Sequence, residues 1–473
     1  MVHHRCVPAA RRNVLRHSLL GLILLVALFP QLHAQTTGSG ITAPEKAYSR
    51  FVLDNGLEVV IVQNHLVPIA TLELATRNGS FTEGPEYAGL SHLYEHMFFK
   101  ANNKYPSGEA FSAVLSANGI IFNATTREEV VYYYFTLPIE NLEKGMEIMS
   151  GAAQFPAFDV AELEREREVV IGEFDRHESN PFFAFNRAMD EALWGDVVTR
   201  KQPIGQRPVI KTATPEKMRF IQKKYYIPNN CALIVAGDVD SAIVHQLAEK
   251  YFGNWEEGKN PFEKDPPPMA KPLTQKKLVT VPAAVDVAQV EYRFHGPSIG
   301  IDNAATYAAD VFLFITRQPQ SRFQRKLVES GLAQGAGMGY YTQRYVGPIQ
   351  VEAVCAPENI KKLQEALWEE IQAFDSPDYF TDEELETAKA ILHVDHLYDS
   401  EETTDWAHTL SFWWSTTGLD YFRGYLDNLS KVTREDIQRY IRTYVKGKNY
   451  VLGITSNQQA LNNLNLNKSE VLK

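Results

Sequence analysis

The sequence predicts an α/β (α+β) protein built from two homologous domains, each a mixed sheet with helices. Three observations carry that prediction. Period-two apolar runs that read as strands intermix with 3.6-period runs that read as helices. A proline-rich stretch, "EEGKNPFEKDPPPMAKP" (256–272), divides the chain, and its Pro266–Pro268 run fits neither a helix nor a central strand. Finally, "TPEKMRFIQKKYYIPNNCAL" (214–233) aligns without gaps to "TREDIQRYIRTYVKGKNYVL" (433–452), at an offset of 219 with five identities in twenty. The matches are Thr214/Thr433, Glu216/Glu435, Tyr225/Tyr444, Asn230/Asn449 and Leu233/Leu452. A repeat this long means duplicated domains rather than a solenoid.

In chain order, "FVLDNGLEVVIV" (51–62) reads as two strands around Asn55-Gly56, a hairpin signal. "PIATLELATRNGS" (68–80) reads as a further strand. Helical spacing follows in "HLYEHMFF" and "SGEAFSAVLSANG". "REEVVYYYFTLP" (127–138) returns to strand, and residues 139–153 and 160–173 read as helices. Both copies of the echo begin with a threonine and place a glutamate two residues on, a helix start, before a loop and an apolar strand. The expected division is 48–255, a linker at 256–272, and 273–473.

The chain has 473 residues, 44% hydrophobic and 22% charged, with a net charge of −11. Those values exclude disordered and polytopic membrane classes and argue against nucleic acid as a partner, which needs a basic face. Residues 1–34 read as a signal peptide. Arg5, Arg11, Arg12 and Arg16 precede an apolar run from Leu19 to Phe29, too short to span a bilayer, and Leu32-His33-Ala34 offers a cleavage site. Export is therefore expected, to the periplasm in a bacterium or otherwise as a secreted protein, with no stable membrane span after cleavage. Residues 35–47 read as a mobile arm. Removing the signal takes away Cys6 and leaves Cys231 and Cys355, expected as two separate buried thiols. A metal, if present, falls to histidines and carboxylates.

The segment "GLSHLYEHMFFKA" contains His92, Glu95 and His96 in the order HxxEH. On a helix, positions i and i+4 share a face, so both imidazoles can reach one ion. Glu95 projects beside that ion. Zinc suits imidazole nitrogen and carboxylate oxygen, and a catalytic site leaves one position to water whose proton a neighbouring carboxylate can take. A third ligand is sought in "ELEREREVVIGEF", where Glu166 and Glu173 lie two helical turns apart on one face. Glu162, Glu164 and Glu168 read as a solvated face with Glu/Arg pairs. Glu173 follows Val169, Val170 and Ile171, where the helix is expected to turn inward, and a buried carboxylate there needs a partner such as a metal.

HxxEH is the inverted zinc motif of the inverzincins. With a glutamate 77 residues after the second histidine, the chain resembles the pitrilysin and mitochondrial-processing-peptidase (insulinase-type) family. "NGLEVVIV", "FNATTREEVVYYY" and "KKYYIPNNCALIVAGDVD" extend the likeness over nearly the whole chain beyond residue 34. The resemblance implies one zinc ion per chain, held by His92, His96 and Glu173, with Glu95 as general base and Glu166 supporting the ligands. It also implies that the two domains form half of a clamshell chamber, with Asn123 and Ala124 on an edge strand that pairs with a peptide substrate, as exposed edges can.

One stretch departs from the family pattern. Where complete members carry an arginine and a tyrosine that hold substrate and oxyanion, "KLVESGLAQ" places Leu327 and Gln334. Arg322, Arg325, Tyr340 and Tyr341 are close in sequence, but no spacing selects them. The resemblance then implies the bacterial two-subunit form, this chain bearing zinc and a homologous partner supplying the Arg/Tyr pair. The expected function is that of a zinc-dependent endopeptidase acting on peptides or unfolded segments. The alternative is a non-catalytic structural or assembly subunit that keeps the fold. His393 and His396 read as helix surface, Trp406, Trp413 and Trp414 as core, and Gly335, Gly337 and Gly339 as no nucleotide site.

Overall fold

The computed structural model describes residues 48–399, 401–464 and 471–472, so the signal peptide and arm expected at 1–47 lie outside the described residues. Eleven strands among the described residues form two sheets. The first runs β1(Tyr48–Val52), β2(Glu58–Gln63), β6(Cys231–Gly237), β3(Ile69–Thr76), β5(Val131–Pro138), β4(Ile121–Thr126) across its width. The second runs β7(Lys277–Pro282), β11(Val451–Ser456), β8(Ala288–His295), β10(Pro348–Cys355), β9(Gly335–Tyr340). Leaving β1 aside, the two orders are the same, and so are the directions. β2–β6 and β7–β11 are the parallel pairs, and the other neighbours are antiparallel.

The offset of 219 seen in the sequence holds well beyond the aligned segment. It carries Glu58–Gln63 onto Lys277–Pro282, Ile69–Thr76 onto Ala288–His295, and the helix Pro215–Tyr225 onto the helix Arg434–Tyr444. Thr214 and Thr433 cap those two helices, each accepting a backbone N–H in the first turn. No α-helix or strand interrupts the chain between the helix Ser241–Phe252 and β7.

The first sheet buries both faces. Leu72 and Leu74 of β3 point to a core shared with α1(Leu90–Phe98), α2(Gly108–Ala117), α3(Leu142–Gln154) and α4(Val160–Glu178). Val60, Ala75 and Ile234 point the other way, onto Trp406, Leu410, Trp413 and Trp414 of the helix Thr403–Thr416. The tryptophans are core, as the sequence suggested. Their helix comes from the second half of the chain yet lies on the first sheet. The converse holds for α5(Phe183–Trp194), whose Phe185, Met189 and Leu193 pack beside Val451 of β11 and Val279 and Val281 of β7. A side chain at Gly453 would meet Met189 Sδ at 2.4 Å and Phe185 Cζ at 2.6 Å, so α5 sits this close to the second sheet over a glycine. At the same offset α5 falls on 402–413, one residue ahead of the start of the helix Thr403–Thr416 and three short of its end, so the two halves exchange equivalent helices.

Polar contacts reinforce the exchange. His408 pairs with buried Glu73 of β3, and the Glu129 carboxylate accepts the Arg344 and Tyr345 amides at 2.8 and 2.9 Å. Arg293 of β8 reaches Asp190 of α5 at 2.7 Å. Cys231 and Cys355 are separate, free and buried, as expected. Among the described residues no helix is long and apolar enough to cross a membrane.

Candidate active site

The site is built on α1, and α1 is seated by its N-terminus. Gly89 precedes it with φ 93°, and a side chain there would meet the Ile204 carbonyl at 2.9 Å, so only glycine fits. The Glu83 carboxylate accepts the Gly89 and Ser91 amides at 2.7 and 2.6 Å, satisfying N–H groups that a helix start leaves orphaned. Burial pushes that carboxyl up to about 7, against the pull of those bonds. Leu90, Leu93, Tyr94 and Met97 face the core, which leaves His92, Glu95 and His96 on the remaining side.

α4 crosses α1 and brings in the carboxylates. Asp159 caps it, accepting the Glu162 amide at 2.9 Å. It runs on to Glu178, further than the sequence reading of 160–173. Glu173 Oε2 stands 3.4 Å from His92 Nε2 and 3.7 Å from His96 Nε2. These spacings are too long for good direct hydrogen bonds. His92, His96 and Glu173 each offer one ligand atom, all within 4.8 Å of one another. Glu166, two turns earlier, contacts His96 Nδ1 at 3.1 Å with Oε2 and Lys100 Nζ at 2.7 Å with Oε1. An ionised carboxylate only accepts, so Nδ1 carries the proton and Nε2 presents its lone pair towards Glu173.

Electrostatics agree with a cation site. Burial, with His96 adding to it, pushes His92 down to about 3, so its imidazole is neutral and able to ligate. His92 Nδ1 is buried without a hydrogen-bond partner. Burial also acts to lower His96, but the Glu166 hydrogen bond and the surrounding carboxylates outweigh it and the net shift is upward. A positive ion between the three groups relieves this crowding of carboxylates. Two imidazole nitrogens and a carboxylate are a donor set that suits zinc.

Glu95 stands beside His96 and Glu173 and reaches β4. Thr126 Oγ1 donates to Glu95 Oε2 at 2.5 Å. Burial raises the Glu95 carboxyl above its ordinary value, and that hydrogen bond holds the rise back. Among the described residues β4 pairs only with β5 and is the sheet's edge. Asn123 and Ala124 lie in its middle, Asn123 exposed and Ala124 against the core. The Asn123 side chain accepts the Ala124 amide at 2.9 Å, occupying a donor that an added strand would use.

Three sequence expectations need correction. Glu162 is buried rather than solvated, and its two oxygens accept the Gly108 and Ala101 amides at 2.6 and 2.9 Å, tying α4 to the loop after α1. Val169 is exposed, so only Val170 and Ile171 turn inward ahead of Glu173. His396 is partly buried rather than a free surface residue. It packs on Trp406 and Phe422, burial pushes it down to about 4, and the Nε2 of neighbouring His393 is buried.

Glu83, Lys100 and Thr126 were missed. Lys100 and Thr126 join segments separated in sequence, and Glu83 reaches the start of α1 across a loop of six residues whose path no spacing rule gives. Leu327 is fully buried in the second core, Gln334 is exposed, and Arg322 is held by Glu370 at 3.3 Å.

Comparison with known proteins agrees with this arrangement. Residues 58–201 match the model for Insulinase (Peptidase family M16), and residues 212–392 match the Peptidase M16 inactive domain. The chain is 24% identical over 355 residues to the uncharacterized zinc protease YmxG of Bacillus subtilis, covering 75% of this chain and 85% of that protein. It is 30% identical over 196 residues to the probable zinc protease PqqL of Escherichia coli, covering 40% of this chain but 21% of PqqL. The crystal structure of the first half of the periplasmic protease PqqL superposes with a TM-score of 0.74 at 19% identity, covering 90% of this chain and 95% of that one. Sheet order, the HxxEH segment and both matches agree: the chain belongs to the insulinase (M16) peptidase family.

Proposed function

We propose that the chain is a zinc-dependent endopeptidase cleaving peptides or unfolded segments. The observation that carries this reading is the convergence of His92, His96 and Glu173 within 4.8 Å, with Glu95 alongside and an open sheet edge next to it. His92 Nε2, His96 Nε2 and Glu173 would hold the ion, and Glu166 keeps His96 in the ligating tautomer. When bound, zinc supplies Lewis acidity, making a water acidic and polarising the scissile carbonyl. Glu95 takes the proton from the attacking water and passes it to the leaving amine. β4 orients an extended peptide by backbone pairing at Asn123 and Ala124.

Leu327 and Gln334 offer no guanidinium or phenol to a developing oxyanion, which needs fixed donors. A homologous partner subunit supplying that Arg/Tyr pair completes the enzyme, the two forming a clamshell chamber. PqqL, of which this chain resembles one half, fits such an arrangement within a single longer protein. Export through the segment 1–34 and the division at 256–272 belong to the same reading.

Glu95→Gln tests the chemistry. It is expected to keep its metal and to lose peptide cleavage by orders of magnitude, measured with and without chelator. A fully active variant would remove Glu95 from the mechanism. Full activity of the purified chain alone would remove the partner. The second reading, a structural or assembly subunit without turnover, is favoured by the missing Arg/Tyr pair. It expects no stoichiometric zinc, so metal analysis separates the two.

A further inference from the structure

The inner face of the edge strand β4 is docked onto the segment that carries HxxEH by three successive alternate residues. Phe122 packs at a tilt against Phe99 with ring centres 4.9 Å apart, Ala124 is buried in the shared core, and Thr126 donates its hydroxyl to Glu95 Oε2 at 2.5 Å. Side chains at i, i+2 and i+4 of a strand share one face, so this contact follows from the register of β4. The opposite edge of β4 has no partner strand among the described residues.

A carboxylate with one oxygen clamped cannot turn freely about its last torsion, and proton acceptance then falls to the other oxygen in one direction. Misdirection of a base by a fraction of an ångström is costly to rate and neutral to binding. A plainly structural threonine would do no more than join strand to helix, and either residue type of that shape would serve.

We propose that Thr126 is a positioning residue for the reaction, holding Glu95 in its proton-accepting orientation and linking that orientation to the strand on which the peptide lies. The proposal rests on the endopeptidase reading above. It makes the base sensitive to occupancy of the edge strand, because the strand that receives the peptide is the one that aims the carboxylate.

The test uses the full chain, with any co-purifying partner, as wild type, Thr126→Val, Thr126→Ser and Glu95→Gln. Valine keeps the size and β-branching that suit a strand and removes only the hydroxyl. Thr126→Val is expected to keep the wild-type metal content and a KM within about 2-fold, and to lose roughly 10–100-fold in kcat. Thr126→Ser, which restores the hydroxyl, is expected to recover most of that loss. In a crystal structure of Thr126→Val the Glu95 carboxylate is expected to leave its present orientation. Unchanged kcat, a loss confined to KM, no recovery with serine, or an unmoved Glu95 would each overturn the role of Thr126. A metal-loaded wild type that cleaves no peptide would instead overturn the endopeptidase reading and take this role with it.

Discussion

The two halves share sheet order, strand directions and an offset of 219, yet among the described residues only one carries a candidate site. β3 is followed by α1, and its counterpart β8 is followed by the helix Asn303–Arg317, whose last residue corresponds to Phe98 at that offset. Val311, Phe314 and Ile315 stand where His92, Glu95 and His96 stand, and all three are buried. The edge strands differ in the same sense: Ile121–Thr126 carries Asn123 and Thr126, while Gly335–Tyr340 is half glycine. The frame therefore does not make the site. A position buried beside a sheet takes apolar residues by default, and polar ones are tolerable only where partners converge on them.

Exchanging residues between the halves sharpens that contrast, and the largest effect is expected at the site itself. His96→Ile, which installs the counterpart residue, is expected to abolish metal binding and lower peptide cleavage by orders of magnitude, read by metal analysis and assay. The metal-free melting temperature should change little. Leu327→Arg, restoring the family's arginine, is expected to cost several kcal/mol in chemical denaturation, because it puts an unpaired charge into a closed core. Unaltered stability would mean that this segment can swing outward.

Ile315→His, the reverse exchange, is expected to cost about 2–3 kcal/mol and to gain no metal, since a buried imidazole lacks partners there. The smallest effects test the repeat. Thr433 forms a reciprocal capping box with Asp436, whereas Thr214 only accepts the Lys217 amide at 3.4 Å. Thr433→Ala is expected to cost about 1 kcal/mol and Thr214→Ala about half that, measured by thermal unfolding.

Much of this was legible from local pattern. HxxEH on a helix, the pair Glu166 and Glu173 two turns apart, the 219 offset and the tryptophan-rich core segment all rest on periodicities the chain carries within itself. Two of the readings that failed, at Glu162 and His396, rested on the assumption that a charged or polar helix face has no neighbour, whereas Val169 was expected inward and is exposed. Glu162 sits among acidic and basic residues that look solvated, yet two amides from another loop claim its carboxylate. His396 looked like surface until Trp406 and Phe422 closed over it.

By itself the sequence determined the element types, the duplication and the histidine pair with its neighbouring glutamate, because each is written in spacing along one segment. Tertiary structure alone decided the crossing of α4 over α1 that sets Glu173 at 3.4 Å from His92, the seating of α1 on Glu83, the Thr126 bond to Glu95, and the exchange of α5 with the helix Thr403–Thr416. Apart from the Glu83 bonds, which span six and eight residues, these join residues 31 to several hundred apart. Their partners are selected by burial, which leaves few places where a polar group can be satisfied, and burial is a property of the packed chain.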